Sequence, residues 1–245
     1  MKRAIWNIIS STAPSEAASI GGAPVVIRVS PRARRLRLRI DPRTRAVTLT
    51  VPKRVSQRRA LAWAAGHRAW IEAALADIPE STPFAPGGTV PLEGVPHRLD
   101  WDPARPRRIE RGDGRLVAGG PSDGLERRLL RWLKAHARDV LDRETREFAA
   151  KAGVMASRVA VGDPVSRWGS CSSKGAIRYS WRLILAPEFV RRATVAHEVA
   201  HLVHLNHGPD FHALVERLLG ADPKAARAWL RREGAALHRI GPGGV

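Results

Sequence analysis

The chain has 245 residues, 44% of them hydrophobic, enough for one large domain or two small ones around a real core. Its 42 Lys and Arg against 23 Asp and Glu leave a formal charge of +19, which can attract nucleic acid, nucleotides or other polyanions, although an Arg-, Ala-, Gly- and Pro-rich composition would produce the same excess. The one cysteine, Cys171, excludes an intramolecular disulfide, and no apolar stretch is long enough to span a membrane.

The first 22 residues are rich in Ser, Ala and Gly, without periodicity, and read as a mobile tail. Their short apolar run, Ile5 to Ile9, is broken by Asn7, so no signal peptide is expected and a reducing, cytoplasmic setting follows. Val25, Ile27 and Val29 alternate as in a strand. Leu36, Leu38 and Ile40 then share one face of a second strand, and Arg35, Arg37 and Arg39 the other. The turn-forming run 41–45 leads to Val47, Leu49 and Val51, giving a hairpin with one apolar and one basic face. The Arg row is either a solvated sheet face or a polyanion-binding surface. Ser56 caps a helix to about Asp77, with Trp63, Trp70, Ile71, Ala74 and Leu75 as a core stripe. Two or three short strands follow between Pro83 and Gly120. No internal repeat is evident.

Asp123 begins a long helix to about Lys151, striped by Leu125, Leu129, Trp132, Leu133, Ala137, Val140 and Leu141 and ended by Gly153. Val159 and Val161 mark a short strand. Ser173-Lys174-Gly175 reads as a hairpin turn, followed by alternation of Ile177, Tyr179, Trp181, Leu183 and Leu185. Pro187 opens a helix that ends near Asn206, because Gly208-Pro209 cannot continue it. Two more helices are expected, at about 210–219 and 223–238.

The helix from Pro187 carries His197-Glu198-Val199-Ala200-His201, an H-E-x-x-H motif. Positions i and i+4 share a helix face, so His197 and His201 can aim two imidazoles at one metal ion. Glu198 sits about 100° around the helix, flanking that ion as a base for water. Five of the nine histidines fall between 197 and 212, which argues against chance. A third ligand is needed, from His204, His207, Asp210, His212 or Glu216. His204 lies about 10 Å along the axis from His197, too far for ligand bonds of about 2 Å. His207 follows the helix in a turn that can bring its imidazole back over the site, and it is the expected third ligand. The spacing of the three histidines equals that of metzincins, but His204 stands where they have Gly and no Met-turn follows. Tyr179 reads as core. Cys171 has no His–Asp arrangement to make it a nucleophile.

Arg167-Trp168-Gly169-Ser170-Cys171-Ser172-Ser173-Lys174-Gly175, then Trp181-Arg182-Leu183, His197-Glu198-x-x-His201 and Asn206-His207-x-x-x-Phe211 resemble the YgjP-like metallopeptidase family, which is related to the WLM and SprT-like zinc proteases. Ala33 to Arg39 and the stretch from Trp229 to His238 add to the likeness, which spans about 25–242. His212 departs from it, standing where an aromatic residue is expected. The resemblance implies an α+β fold with a zincin-type catalytic core, its active-site helix beside a small antiparallel sheet. It also implies Zn2+ on His197, His201 and His207, Glu198 as base, and the Trp168–Cys171 strand beside the helix.

Three parts are thus expected: a tail (1–22), a β-rich region with one helix (23–120) and a catalytic core (121–245). The expected function is zinc-dependent cleavage of peptides or proteins. Trp168, Ser170, Cys171 and Arg182, or Arg178, are candidates for contacting the substrate. A nucleoside triphosphate (UTP-type) pyrophosphatase is the alternative, favoured by the charge and by Arg35, Arg37 and Arg39. A third class is a nucleic-acid-associated module docking through the basic hairpin, whose binding should fall steeply with salt. No membrane partner is expected.

Overall fold

The computed structural model describes residues 18–242, a mixed α/β chain of α+β class with three small sheets and six α-helices. Two compact units can be separated, 18–41 with Arg45–Asp77, and Pro42–Thr44 with 78–242. The division falls at Asp77 rather than at 120, because the strands between 89 and 119 share a core with the long helix after them. Most of the expected tail lies outside the described residues. Its end does not remain free, since Ser19–Ile20 already forms a strand.

In the first unit β1 (Ser19–Ile20), β2 (Ala23–Ser30), β3 (Arg37–Ile40) and β4 (Val47–Pro52) make a sheet of order β1-β2-β4-β3. The expected hairpin is present as β3–β4, with Leu38 opposite Leu49 and Ile40 opposite Val47. Val47, Leu49 and Val51 are fully buried, while Arg35, Arg37 and Arg39 face solvent. The helix after Ser56 is two helices, α1 (Gln57–Ala65) and α2 (Arg68–Ala76). The Arg59 backbone N–H donates to Ser56 Oγ at 3.3 Å, the expected cap. The break falls at Gly66, a poor helix former, and the new direction buries Ile71 and Leu75 but leaves Trp70 51% exposed. Trp70 is therefore not core.

In the second unit β5 (Thr89–Leu92), β6 (Val95–Asp102), β7 (Ile109–Gly112) and β8 (Arg115–Gly119) form a sheet of order β5-β6-β8-β7, one strand more than expected. Both four-stranded sheets have the same order and directions: a hairpin, a parallel central pair, and a second hairpin back to the centre. There is thus an internal repeat, carried by topology and hidden by unlike side chains. Helix α3 (Leu125–Lys151) follows, burying Leu125, Leu129, Leu133, Ala137, Val140 and Leu141 as its stripe predicts. The third sheet contains β9 (Arg158–Gly162), β10 (Gly169–Cys171) and β11 (Ala176–Ser180) in the order β10-β11-β9. It is mixed rather than antiparallel, because β9 runs parallel to β11.

The alternation through Leu185 is not all strand. At Ser180 the chain turns into a 3-10 helix, Trp181–Leu185, with every side chain buried. An alternating pattern cannot signal this, since all five positions are inside, Arg182 included. Arg182 is 0% exposed, donates to Asp163 at 2.8 Å and to the carbonyls of Leu237 and Ile240 at 2.7 Å each. It holds the chain end against the core and does not contact substrate, which corrects that expectation. Helices α4 (Glu188–Ala200), α5 (Pro209–Leu219) and α6 (Lys224–His238) complete the unit. No helix among the described residues is long and apolar enough to cross a membrane.

The Arg182–Asp163 pair makes stability depend on pH. Burial pushes the Asp163 carboxyl up, but the Arg182 guanidinium outweighs it and holds the group below its ordinary range. A carboxyl depressed in the folded state stabilises above its unfolded value of about 3.9, and that contribution fades as pH falls through the folded value. Arg182→Leu leaves the half-buried Asp163 carboxylate with Arg43 at 3.2 Å as its one ion-pair partner among the described residues and takes the Arg182 donor from two carbonyls, and should cost about 3 kcal/mol in urea denaturation at pH 7. The stability gap between wild type and Asp163→Asn should narrow as pH falls below about 4. A constant gap would contradict the pairing.

Candidate metal centre

Helix α4 is buried on nearly every side: Val190, Ala193, Val195, Ala196, Val199 and Ala200 are 5% exposed or less. It is tied to α3 by Arg191, whose guanidinium donates to Glu144 at 2.9, 3.1 and 3.2 Å, both residues being almost fully buried. Burial pushes the Glu144 carboxyl up despite Arg191. The pair binds one helix to the other but takes no part in the cleft, and neither residue stood out in the sequence.

The helix ends at Ala200, six residues before Asn206. Leu202 and Val203 donate back three residues, to Val199 and Ala200, tightening the last turn before the chain leaves the axis. The early exit frees the stretch 202–208 to fold back and place His207 over His197 and His201. Metal-ligating atoms of these three histidines lie within 4.8 Å of one another, the one such group of His, Cys, Asp or Glu among the described residues. The three rings sit 4.7–5.1 Å apart between centroids. Phe211, on the first turn of α5 and 1% exposed, lies under all three at 4.6–4.9 Å. It is the floor of the site, and it was visible in the sequence only as part of the family pattern.

Ring nitrogens are aimed as ligands should be. His201 Nδ1 lies 3.1 Å from the His204 carbonyl, to which it donates, leaving Nε2 with a free lone pair. His204 thus enters the site through its backbone, while its ring takes no part in the triad. His197 Nε2 and His207 Nε2 are 3.2 Å apart. Burial first, then the charges His201 and His207 would carry, pushes His197 down to about 4, so it is neutral at pH 7 with a lone pair to offer. His212 stays outside the triad, 6.4 Å from His207 between centroids.

Glu198 is 6% exposed and has no hydrogen-bond or ion-pair partner among the described residues. Burial pushes its carboxyl up to about 7, with Arg167 pulling the other way. It lies directly against Gly169 of β10, where a Cβ would come 2.6 Å from Glu198 Cγ. Only glycine lets the strand approach this closely. The W-G-S-C run thus has a steric reason for its glycine that the sequence alone did not reveal.

Two cavities meet at Arg167, Gly169, His197 and Glu198. One, about 290 Å³, runs under Trp168, Phe211, Val215, Ala226 and Leu230 and is mainly apolar. The other, about 250 Å³, passes Ser170, Cys171, His201 and Leu205. Trp168, Ser170 and Cys171 therefore stand where a bound molecule would meet them. Trp168 is held by stacking on His238 at 4.9 Å. Arg178 sits on the exposed face of β11 and lines neither cavity. The Cys171 thiol is pushed up by burial and by Glu198, the reverse of what a nucleophile needs. Tyr179 is 0% exposed and bonded to Thr145 at 3.0 Å, so it is core, as expected.

A mixed α/β fold that buries a glutamate beside three converging imidazoles defines a candidate metal-dependent hydrolase site. A family model described as YgjP-like, metallopeptidase domain, matches residues 34–233, and the chain belongs to that family. No curated protein and no solved structure compared with the chain gives a match.

Gly169→Ala forces β10 and α4 apart. It should lower stability by about 1–3 kcal/mol, as overpacking a core does. An unchanged urea midpoint would refute the close approach.

Proposed function

We propose that the chain is a zinc-dependent metallopeptidase of zincin type, with His197, His201 and His207 as ligands and Glu198 as general base. The observation that carries this reading is the convergence of the three imidazoles beside a buried, unpaired carboxyl. The donor set fits the ion. Nitrogens each about 2.0–2.1 Å from a tetrahedral zinc lie about 3.3 Å apart, and His197 Nε2 and His207 Nε2 are 3.2 Å apart. Three imidazoles leave a fourth position open, as catalytic zinc sites do. When bound there, zinc supplies Lewis acidity that polarises a carbonyl and lowers the pKa of water.

The protein's own groups do the rest. Glu198 takes the proton of the attacking water and passes it to the leaving amine, work suited to a carboxyl raised by burial toward neutral pH. The outer edge of β10, at Gly169 to Cys171, has no strand partner among the described residues and can hold an extended peptide by backbone hydrogen bonds. The apolar cavity under Trp168, Val215 and Leu230 can take a substrate side chain. Triphosphate chemistry has less support: Mg²⁺ sites that handle phosphates use carboxylates, and the one group of three or more metal-ligating side chains among the described residues is made of histidines.

Glu198→Gln should retain the metal while losing about 10²–10⁴-fold in kcat, the usual weight of a general base. The assay sets a peptide library against UTP, with this variant as control. Peptide turnover that survives the substitution, or UTP turnover that disappears with it while peptides stay intact, would overturn the peptidase reading.

A further inference from the structure

The two four-stranded sheets can be compared row by row. In the first, Leu49 is paired with Ile27 and Leu38; in the second, Leu116 is paired with Leu99 and Arg111. Leu49 and Leu116 are both fully buried, and they anchor the comparison. The next row is Arg28–Thr50–Arg37 in one sheet and Asp100–Val117–Glu110 in the other. Arg34-Arg35-Leu36-Arg37 then matches Arg107-Arg108-Ile109-Glu110.

Both copies bring arginines to this corner, but only the second pairs most of them with acidic side chains. There Asp100 pairs with Arg105 at 3.0 Å and Arg115 at 3.5 Å, and Glu110 with Arg108 at 2.8 Å. In the first copy both acidic positions are themselves arginine. Arg28, Arg32, Arg34, Arg35 and Arg37 make no ion pair among the described residues. Four of them line a concavity of about 630 Å³ with Thr50, into which no acidic or aromatic side chain projects. The fold does not require this, since the second sheet builds the same corner with three of its arginines, Arg105, Arg108 and Arg115, in ion pairs.

We propose that this concavity binds the phosphodiester backbone of a nucleic acid, without reading its sequence. Guanidinium groups match phosphate oxygens in geometry as well as charge. A polymer fits better than a single nucleotide because the charge runs beyond the concavity through Arg28 on β2, on a unit that is basic as a whole. Residues 18–41 and 45–77 hold twelve Lys and Arg against three acidic residues. With no aromatic ring in the lining there is no platform for stacking a base, so the contacts are to backbone alone.

The test is fluorescence anisotropy of the full chain, in EDTA, with a labelled 20-nucleotide single-stranded DNA between 50 and 300 mM salt. EDTA separates the outcome from the peptidase reading. Binding should weaken steeply with salt, and Arg35→Ala/Arg37→Ala should cost at least about tenfold at 100 mM and flatten the log–log slope by about 1.4. Arg58→Ala/Arg59→Ala removes the same charge from exposed sites on α1 and should change affinity less than about threefold. Circular dichroism checks that each variant is folded; these side chains are exposed. An oligonucleotide that fails to bind at 50 mM salt would overturn the proposal. So would equal losses in the two double variants, which would reduce the effect to net charge, or UTP competing as well as the oligonucleotide mole for mole.

Discussion

Helix α4 brings Glu198 inside the protein, 6% exposed, against a strand that can lie so close only because residue 169 has no side chain. That contact sets the chemistry. It strips water from the carboxyl and pushes it up to about 7. It also aligns β10 with the helix, so that Ser170 and Cys171 border the same cleft as His197 and His201. Two turns earlier on the same face of α4, the buried Arg191–Glu144 pair holds the helix to α3. A buried ion pair adds little net stability but loses much if one partner goes, so it secures position rather than energy. The helix is thereby fixed at two heights along one face, and the histidines it carries are fixed with it.

The third imidazole depends on how the helix ends. Had α4 continued to Asn206, His207 would have left along the axis. Its early end, closed by the backbone bonds of Leu202 and Val203, lets the chain return over the first two rings and rest on Phe211. The His204 carbonyl then orients His201 from behind. Four residues of one short loop thus supply a candidate ligand, an orienting acceptor and the reversal that unites them.

Much of this was legible in the residues. The i, i+4 spacing of His197 and His201, the stripe of α3 and the alternation of β3 and β4 are periodic signals, and periodicity reports which face is buried. His207 followed from the turn at Gly208-Pro209, which can bring it back over the site, while His204 was excluded because it lay too far along the axis. Elements buried all round were not legible. From Trp181 to Leu185 every side chain is inside, so nothing distinguishes strand from 3-10 helix, and Arg182 read as a candidate substrate contact until its carbonyl partners appeared. Gly169 and the Glu144–Arg191 pair are contacts between distant segments, which no local pattern records. The repeated sheet escaped notice because its two copies keep the path of the chain while exchanging acid for base.

The central claim, that His197, His201 and His207 hold one metal ion, is tested most directly by titrating the metal-free chain with Co²⁺, a spectroscopic stand-in for zinc, while following its visible absorption. The account predicts an intense band that saturates at one equivalent, is displaced by Zn²⁺ and is lost in His207→Ala. Weak absorption without a stoichiometric end point, or a band unchanged in His207→Ala, would contradict it.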